Sequence, residues 1–320
     1  MTDKFPLFQL PYVALYEVLN YVVPEAMLPL SLCSKRFKRF VKLCQGPRKE
    51  IDINLNIPRN VLEVRCDSII SVNAVSSLPT DLERGNIGYH MVPEVIKYTS
   101  DVFNRELHSI SARGNSDDVR YWLEWIKTIQ GKLRRVFLCT SRKVVDDDLV
   151  RYILESDTVT GDIVLYCRLS PGFKGPSPRP FSIDCLDLQP SYWVTLDHLL
   201  AMDVKRIGLD LSPLTCHIIN IFLKKWINGE CSKRIKELFV SMENEVNYDE
   251  LMEGIEVTRR DPNLRRDYAL YNGVEQISGG IDFKRKFDGR MATIVNIPTS
   301  GLVTSLSVVF WPDFKGNQYH

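Results

Sequence analysis

Three apolar runs in the second half of the chain, CLDL at 185–188, IGLDL at 207–211 and ELFV at 237–240, constrain the fold more than any other feature. They lie roughly 20 to 30 residues apart, and each interval holds a segment of helical periodicity, TLDHLLAM and then CHIINIFLKKWING. Two parallel strands need a crossover of about a dozen residues or more, which a helix supplies. The spacing predicts parallel strands backed by helices. The alternation begins earlier, with RRVFLC and DIVLYCRL as strands and DDDLVRYILES as the helix between them. The period is irregular and has no asparagine ladder. The region therefore reads as a degenerate leucine-rich-repeat-like solenoid, with an ordinary α/β sheet as the alternative.

Local chemistry supports these assignments. Asp146, Asp147 and Asp148 stand directly ahead of LVRYIL, where the unpaired N–H groups of a helix start attract anions, so this triplet reads as a cap rather than a hard-cation site. Trp226 follows Phe222 and Leu223 by four and three residues, which places it with them on the buried side of a helix. IDFKRKFDGRMATIVNI reads as a C-terminal β-hairpin turning at Asp288-Gly289, and GFKGPSPRPF as a solvated connection between strands. Further upstream, Ile51, Ile53 and Leu55, then Val61, Leu62 and Val64, mark short strands. DDVRYWLEWIKTIQ is a helix with Val119, Trp122, Leu123 and Ile126 on one face. Residues 76–116 are weakly patterned, with Pro79, Gly85, Gly88 and Pro93 marking turns.

Composition excludes several functions. With 41 Lys and Arg against 40 Asp and Glu, no excess charge is available to neutralise phosphates. The eight cysteines lie far apart without a C-x-x-C pair, which suits reduced thiols in the cytoplasm or nucleus. No apolar run approaches a membrane span of about 18 residues. The five histidines lack ligand spacing, and phosphate-loop, dinucleotide, nucleophile-elbow and zinc-protease motifs are missing. The expectation is a chain with no catalytic residues, no metal and no cofactor.

The first forty-five residues stand apart. In LPYVALYEVLNYVV, Leu15, Val18, Leu19 and Val22 fall on one helical face, and Pro11 suits a first turn. PEAMLPLSLCS starts a second helix at Pro24, which Pro29 should shorten or make irregular. In SLCSKRFKRFVK, Cys33, Phe37, Phe40, Val41 and Cys44 share one side, while Lys35, Lys38, Arg39 and Lys42 share the other as a solvated back. A unit of about forty residues is too small for a core of its own, so its surface should be buried against a partner or a following domain.

LPYVALYEVL followed by LSLCSKRFKRFVK resembles the F-box, on Leu10, Pro11, Val18, Leu19, Leu30, Ser34, Lys35 and Phe37. It departs from the usual pattern at Val13, Ala14 and Pro29. The resemblance implies docking on a Skp-type linker and, through it, a cullin. Leu10, Pro11, Leu15, Val18, Leu19, Leu30, Ser34 and Phe37 are the expected linker-binding set. LTCHIINIFLKKWINGE, DELMEGIEVTRRDPN and GGIDFKRKFDGRMATI resemble the type 2 F-box-associated region of nematode F-box proteins, through Leu223, Lys224, Trp226, Gly229, Gly254, Ile255, Asp261, Pro262, Asp282, Arg285, Asp288, Gly289 and 292–294.

The expected fold is mixed α+β and α/β. A three-helix F-box at 5–45 is followed by a connecting β-rich and helical region at 46–129. An α/β, leucine-rich-repeat-like domain at 130–320 then ends in a hairpin and carries the type 2 motif at about 200–265. The expected function is that of a substrate-recognition adaptor of an SCF-type cullin ubiquitin ligase, with an unknown protein substrate and unknown substrate-binding residues. A non-catalytic scaffold and a nucleic-acid binder using the basic helix 35–42 are the alternatives, and the balanced charge argues against the second.

Overall fold

The computed structural model describes residues 9–22, 24–44, 51–57, 61–66, 70–73, 92–114, 116–270, 273–295 and 304–311. The chain forms two compact units, Met1–Val136 and Phe137–His320.

The first unit opens with helices α1 (Tyr12–Asn20), α2 (Pro24–Cys33) and α3 (Lys35–Cys44). Strands β1 (Ile51–Asn56), β2 (Val61–Cys66) and β3 (Ile70–Asn73) follow, then α4 (Val92–Phe103), β4 (Leu107–Arg113) and α5 (Val119–Ile129). Its strands lie in the order β3-β2-β1-β4, antiparallel except for the β1–β4 pair, which is parallel. Ile53, Leu55, Leu62 and Val64 are buried, as their alternation requires, and so are Val119, Trp122, Leu123 and Ile126 of α5.

Two expectations for this unit need correction. Pro29 does not interrupt α2, which runs through it for ten residues. The proline removes one helical hydrogen bond, an interior cost of about 3 kcal/mol, and burial of Met27 and Leu28 works against that cost at roughly 1.5–3 kcal/mol each. Nor is 92–113 an irregular stretch of turns. Pro93 lies in the first turn of α4, where a missing N–H costs nothing, and Val95, Ile96, Thr99, Val102 and Phe103 form its buried face. Pro79, Gly85 and Gly88 lie outside the described residues.

Strand β5 (Leu133–Val144) straddles the boundary between the units. The second unit continues with α6 (Asp147–Glu155), β6 (Val159–Arg168), β7 (Cys185–Gln189), α7 (Leu196–Ala201), β8 (Arg206–Ser212), α8 (Cys216–Ile227) and β9 (Glu237–Met242). A short α9 (Tyr248–Leu251) leads into β10 (Thr258–Arg259), β11 (Arg265–Leu270), β12 (Gly273–Ser278), β13 (Ile281–Lys284), β14 (Met291–Val295) and β15 (Ser305–Phe310). The strand order is β5-β6-β7-β8-β9-β15-β14-β13-β10, with β11 and β12 forming a separate antiparallel pair. Strands β6 to β9 are parallel, and β15, β14, β13 and β10 extend the sheet antiparallel. The GFKGPSPRPF segment is the connection from β6 to β7.

Register explains the core. Ile163, Leu186, Ile207, Leu238, Val308, Ile294 and Ile281 are successive cross-strand partners, so one apolar row runs across seven strands. Every member is at most 2% exposed. A second row, Leu165, Leu188, Leu209, Val240 and Leu306, lies beside it and is equally buried. Helix α8 packs on this face. Its Trp226 indole lies 4.8 Å from the Phe310 ring and 5.9 Å from Phe283, both edge-on.

The helix starts follow local chemistry. Asp146 caps α6 by accepting from the Asp148 N–H, Thr195 and His198 form a reciprocal capping box on α7, and Thr215 caps α8. The predicted hairpin is the β13–β14 pair. Gly289 turns it at φ +73°, a left-handed conformation that a side chain would strain.

Trp226 has no room to be replaced by a smaller side chain without leaving a void. Trp226→Ala is expected to lower unfolding stability by about 3–5 kcal/mol. Trp226→Phe should cost clearly less, because the buried indole N–H donates to no acceptor among the described residues and its loss removes a desolvated donor. Denaturant titration of the two variants checks the order.

Candidate partner-binding surfaces

In the N-terminal region, the helices are assembled by a few specific contacts. Ser34 caps α3, its hydroxyl accepting from the Phe37 N–H at 3.1 Å. Phe37, Phe40 and Val41 then point inward and are buried, and the Tyr12 ring meets Phe40 edge-on at 5.9 Å. Ser31 is buried in α2, donating to the Leu28 carbonyl and lying 3.1 Å from the Tyr98 hydroxyl of α4.

The basic side of α3 is not merely solvated. Lys38 and Lys42 both reach Asp101 of α4, at 2.8 and 2.5 Å, and Lys38 also sits over the Tyr98 ring at 4.2 Å. Those hydrogen bonds hold the Asp101 carboxyl below its ordinary range. Lys35 and Arg39 remain exposed. Cys33, expected on the apolar side, is exposed at the end of α2, because its segment belongs to a different helix from Phe37.

The expected linker-binding residues therefore separate. Pro11, Val18 and Ser34 are exposed, and Leu10 and Leu30 are partly so. Leu15 and Phe37 are buried within the unit and act on any surface from beneath. Leu19 lies in α1, and its side chain is outside the described residues. Beside this set stand apolar side chains that periodicity did not single out: Tyr12, Val13, Tyr21 and Leu43, with Val13 71% and Tyr21 87% exposed. All four lie within the short helical region of α1 to α3.

In the C-terminal unit, the polar groups expected near the hairpin are mostly structural. Arg285 is buried, binds Asp288 with two nitrogens and lies 5.2 Å from the Trp226 ring, whereas Lys284 and Lys286 are exposed. That pairing draws the Asp288 carboxyl down to about 2. Asp282 is fully buried and receives Arg260 at 2.5 Å, both Arg266 contacts at 3.1 Å and the Thr293 hydroxyl at 2.5 Å. Thr293 in turn accepts from the Trp311 indole N–H at 2.7 Å. Arg290 donates to the backbone carbonyls of Lys233, Ile235 and Trp311. Such charge-assisted bonds satisfy buried groups and leave little for a ligand. Among the described residues no helix is long and apolar enough to cross a membrane, and no group of three or more His, Cys, Asp or Glu could hold a metal ion.

Comparison with known proteins identifies both regions. Residues 7–49 match the F-box domain, and residues 179–252 match the F-box associated domain, which puts the α7–β9 region inside the second match. The chain thus carries an F-box domain at its N-terminal end and an F-box-associated domain of the second type toward its C-terminal end. Its relatives include two Caenorhabditis elegans proteins. Uncharacterized protein F59B2.8 is 22% identical over 351 residues, covering 98% of this chain and 79% of its own length. Uncharacterized protein F59B2.9 is 23% identical over 326 residues, covering 91% and 75%. The C. elegans E3 ubiquitin-protein ligase hecw-1 is 21% identical over 281 residues, which is 73% of this chain but 22% of that protein. No solved structure matches.

The Asp101 contact makes a pH-dependent prediction. A carboxyl whose folded pKa is lowered contributes stability that is fully present above the unfolded value, near 3.8, and is lost as pH falls through the folded value. Asp101 is half exposed, so Asp101→Asn should cost about 0.5–1 kcal/mol at neutral pH and low salt. The difference from wild type should shrink below pH 4 and at high salt, as read by hydrogen exchange of the α3 and α4 amides.

Proposed function

We propose that this chain is the substrate-recognition subunit of an SCF-type cullin ubiquitin ligase. The F-box, spanning about 5–45, docks on a Skp-type linker, and the C-terminal domain, about 130–320, holds a target protein. The observation that carries this reading is the pairing of an F-box and an F-box-associated domain in one chain, the first of them presenting exposed apolar side chains.

Leu10, Pro11, Val18, Leu30 and Ser34 form the linker-contacting set together with Leu19. Leu15 and Phe37 shape that set from inside. Residues 46–129 connect the two functions. The parallel strands β6 to β9, following one another in chain order with α7 and α8 between the last three, support a degenerate leucine-rich-repeat-like stack closed by antiparallel strands. The adaptor supplies no chemistry of its own. It raises the effective concentration of a target lysine near the conjugating enzyme, while bond making belongs to other subunits. Such a complex works in the cytoplasm or nucleus. The basic helix contributes to this assembly through its fold, since Lys38 and Lys42 are engaged by Asp101, which argues against its use as a nucleic-acid surface.

Co-purification of the full chain with a Skp-type linker tests the reading. Val13→Asp with Val18→Asp alters exposed positions only and should abolish association, because each apolar hot spot lost at an interface costs more than about 1 kcal/mol. Arg39→Ala should leave it intact. Failure of the wild type to associate, or survival of association in the Asp variant, overturns the adaptor function.

A further inference from the structure

The face of the C-terminal sheet opposite α8 carries a different chemistry. Residues that alternate with the apolar rows stand there: Asp187, Gly208, Phe239 and Ser307 are successive cross-strand partners, as are Cys185, Arg206, Glu237 and Val309. The β11–β12 pair covers part of this face. Its Tyr268 and Ile277 pack with Val295, Val309 and Trp311. Beside that cover, over β6 to β9, lies a cleft of about 340 Å³. Parallel strands ordinarily have both faces covered, so a cleft at this place is unusual.

The cleft is shaped as well as open. Gly208 has no side chain where a Cβ would stand 2.8 Å from Asp187 Oδ1, so the glycine leaves space for that carboxylate on the floor. Tyr166 orients it, donating from its hydroxyl to Asp187 Oδ2 at 2.7 Å. Asp210 and Glu237 also line the cleft, together with the guanidinium of Arg206. Phe239 is 40% exposed on the floor, and Ile277 and Val309 add apolar wall toward the hairpin. Burial pushes the Asp187 carboxyl upward, while the Tyr166 bond and Arg206 work the other way.

We propose that this cleft takes a lysine or arginine side chain of a target protein. Among the described lining residues three carboxylates, Asp187, Asp210 and Glu237, outnumber the guanidinium of Arg206 and select positive charge. The apolar wall suits the methylene stem of such a side chain, and Phe239 offers a ring face to its cationic head. Anionic and purely apolar side chains lack this complementarity. The inference rests on the adaptor reading for its biological meaning, but the cleft binds with or without the linker.

The test is a display library of short random peptides screened against the purified full chain. Enrichment of Lys or Arg at one position is expected, with binding that weakens as salt is raised. Synthetic copies of the enriched peptide, one carrying norleucine at that position, should differ by about tenfold or more in Kd. Asp210→Asn should weaken the basic peptide by a similar factor. Phe239→Ala, at an exposed position that leaves the apolar rows untouched, supplies a second variant expected to weaken binding several-fold. Enrichment of acidic or apolar peptides, absence of any enrichment, or unchanged binding in both variants overturns the proposal. Linker co-purification is read separately, so a failed screen with intact linker association removes only this inference, and a successful screen without linker association removes only the adaptor function.

Discussion

In the C-terminal unit, one row of side chains ties seven strands together. Ile163, Leu186, Ile207, Leu238, Val308, Ile294 and Ile281 lie shoulder to shoulder, although the strands holding them run parallel on one side and antiparallel on the other. A slip of one residue in any strand would turn its member of the row to the opposite face. Each buried aliphatic side chain contributes roughly 1.5–3 kcal/mol, so register here is set by the hydrophobic effect applied strand by strand. Helix α8 then locks the arrangement, because Trp226 touches rings from both β13 and β15.

That register has a consequence for function. Once the apolar rows face the helices, the alternate residues must face the other way, and these include the charged side chains Asp187, Arg206 and Glu237. Toward β14 and β15 the β11–β12 pair covers them, and the buried charges there are satisfied by one another, as with Asp282, Arg260 and Arg266. Over β6 to β9 the same face holds a cleft among the described residues, and its carboxylates line it. One structural rule thus yields a buried ionic network and an accessible charged surface.

The N-terminal region uses charge differently. Lys38 and Lys42 converge on a carboxylate of α4, which leaves α1 and the exposed ends of the helices to present apolar groups. Part of its stability comes from residues more than fifty positions away. A helical trio of this size lacks the buried area to stand alone, and the Asp101 and Tyr98 contacts show where support comes from within its own unit.

Periodicity was enough to reveal the helices of 147–155, 196–201 and 216–227, the parallel strands between them, the turn at Gly289 and the inward faces of Trp122 and Trp226. Each of these depends on residues within a turn or two of one another, or on an alternation that a single strand displays. The family resemblance was legible for a related reason, since its marks are short and ordered along the chain. Helix α4 was hidden, because Pro93 reads as a breaker unless it is known to occupy a first turn, and α2 was judged too harshly for Pro29. What the tertiary structure alone decided were the long-range matters: Lys38 and Lys42 meeting Asp101, Arg285 turning inward beneath Trp226, and Asp187, Asp210 and Glu237 from three separate strands sharing one cleft. Local propensity sees only neighbours in the chain, whereas charge pairing and cleft formation depend on distances that exist only after the sheet has set its register.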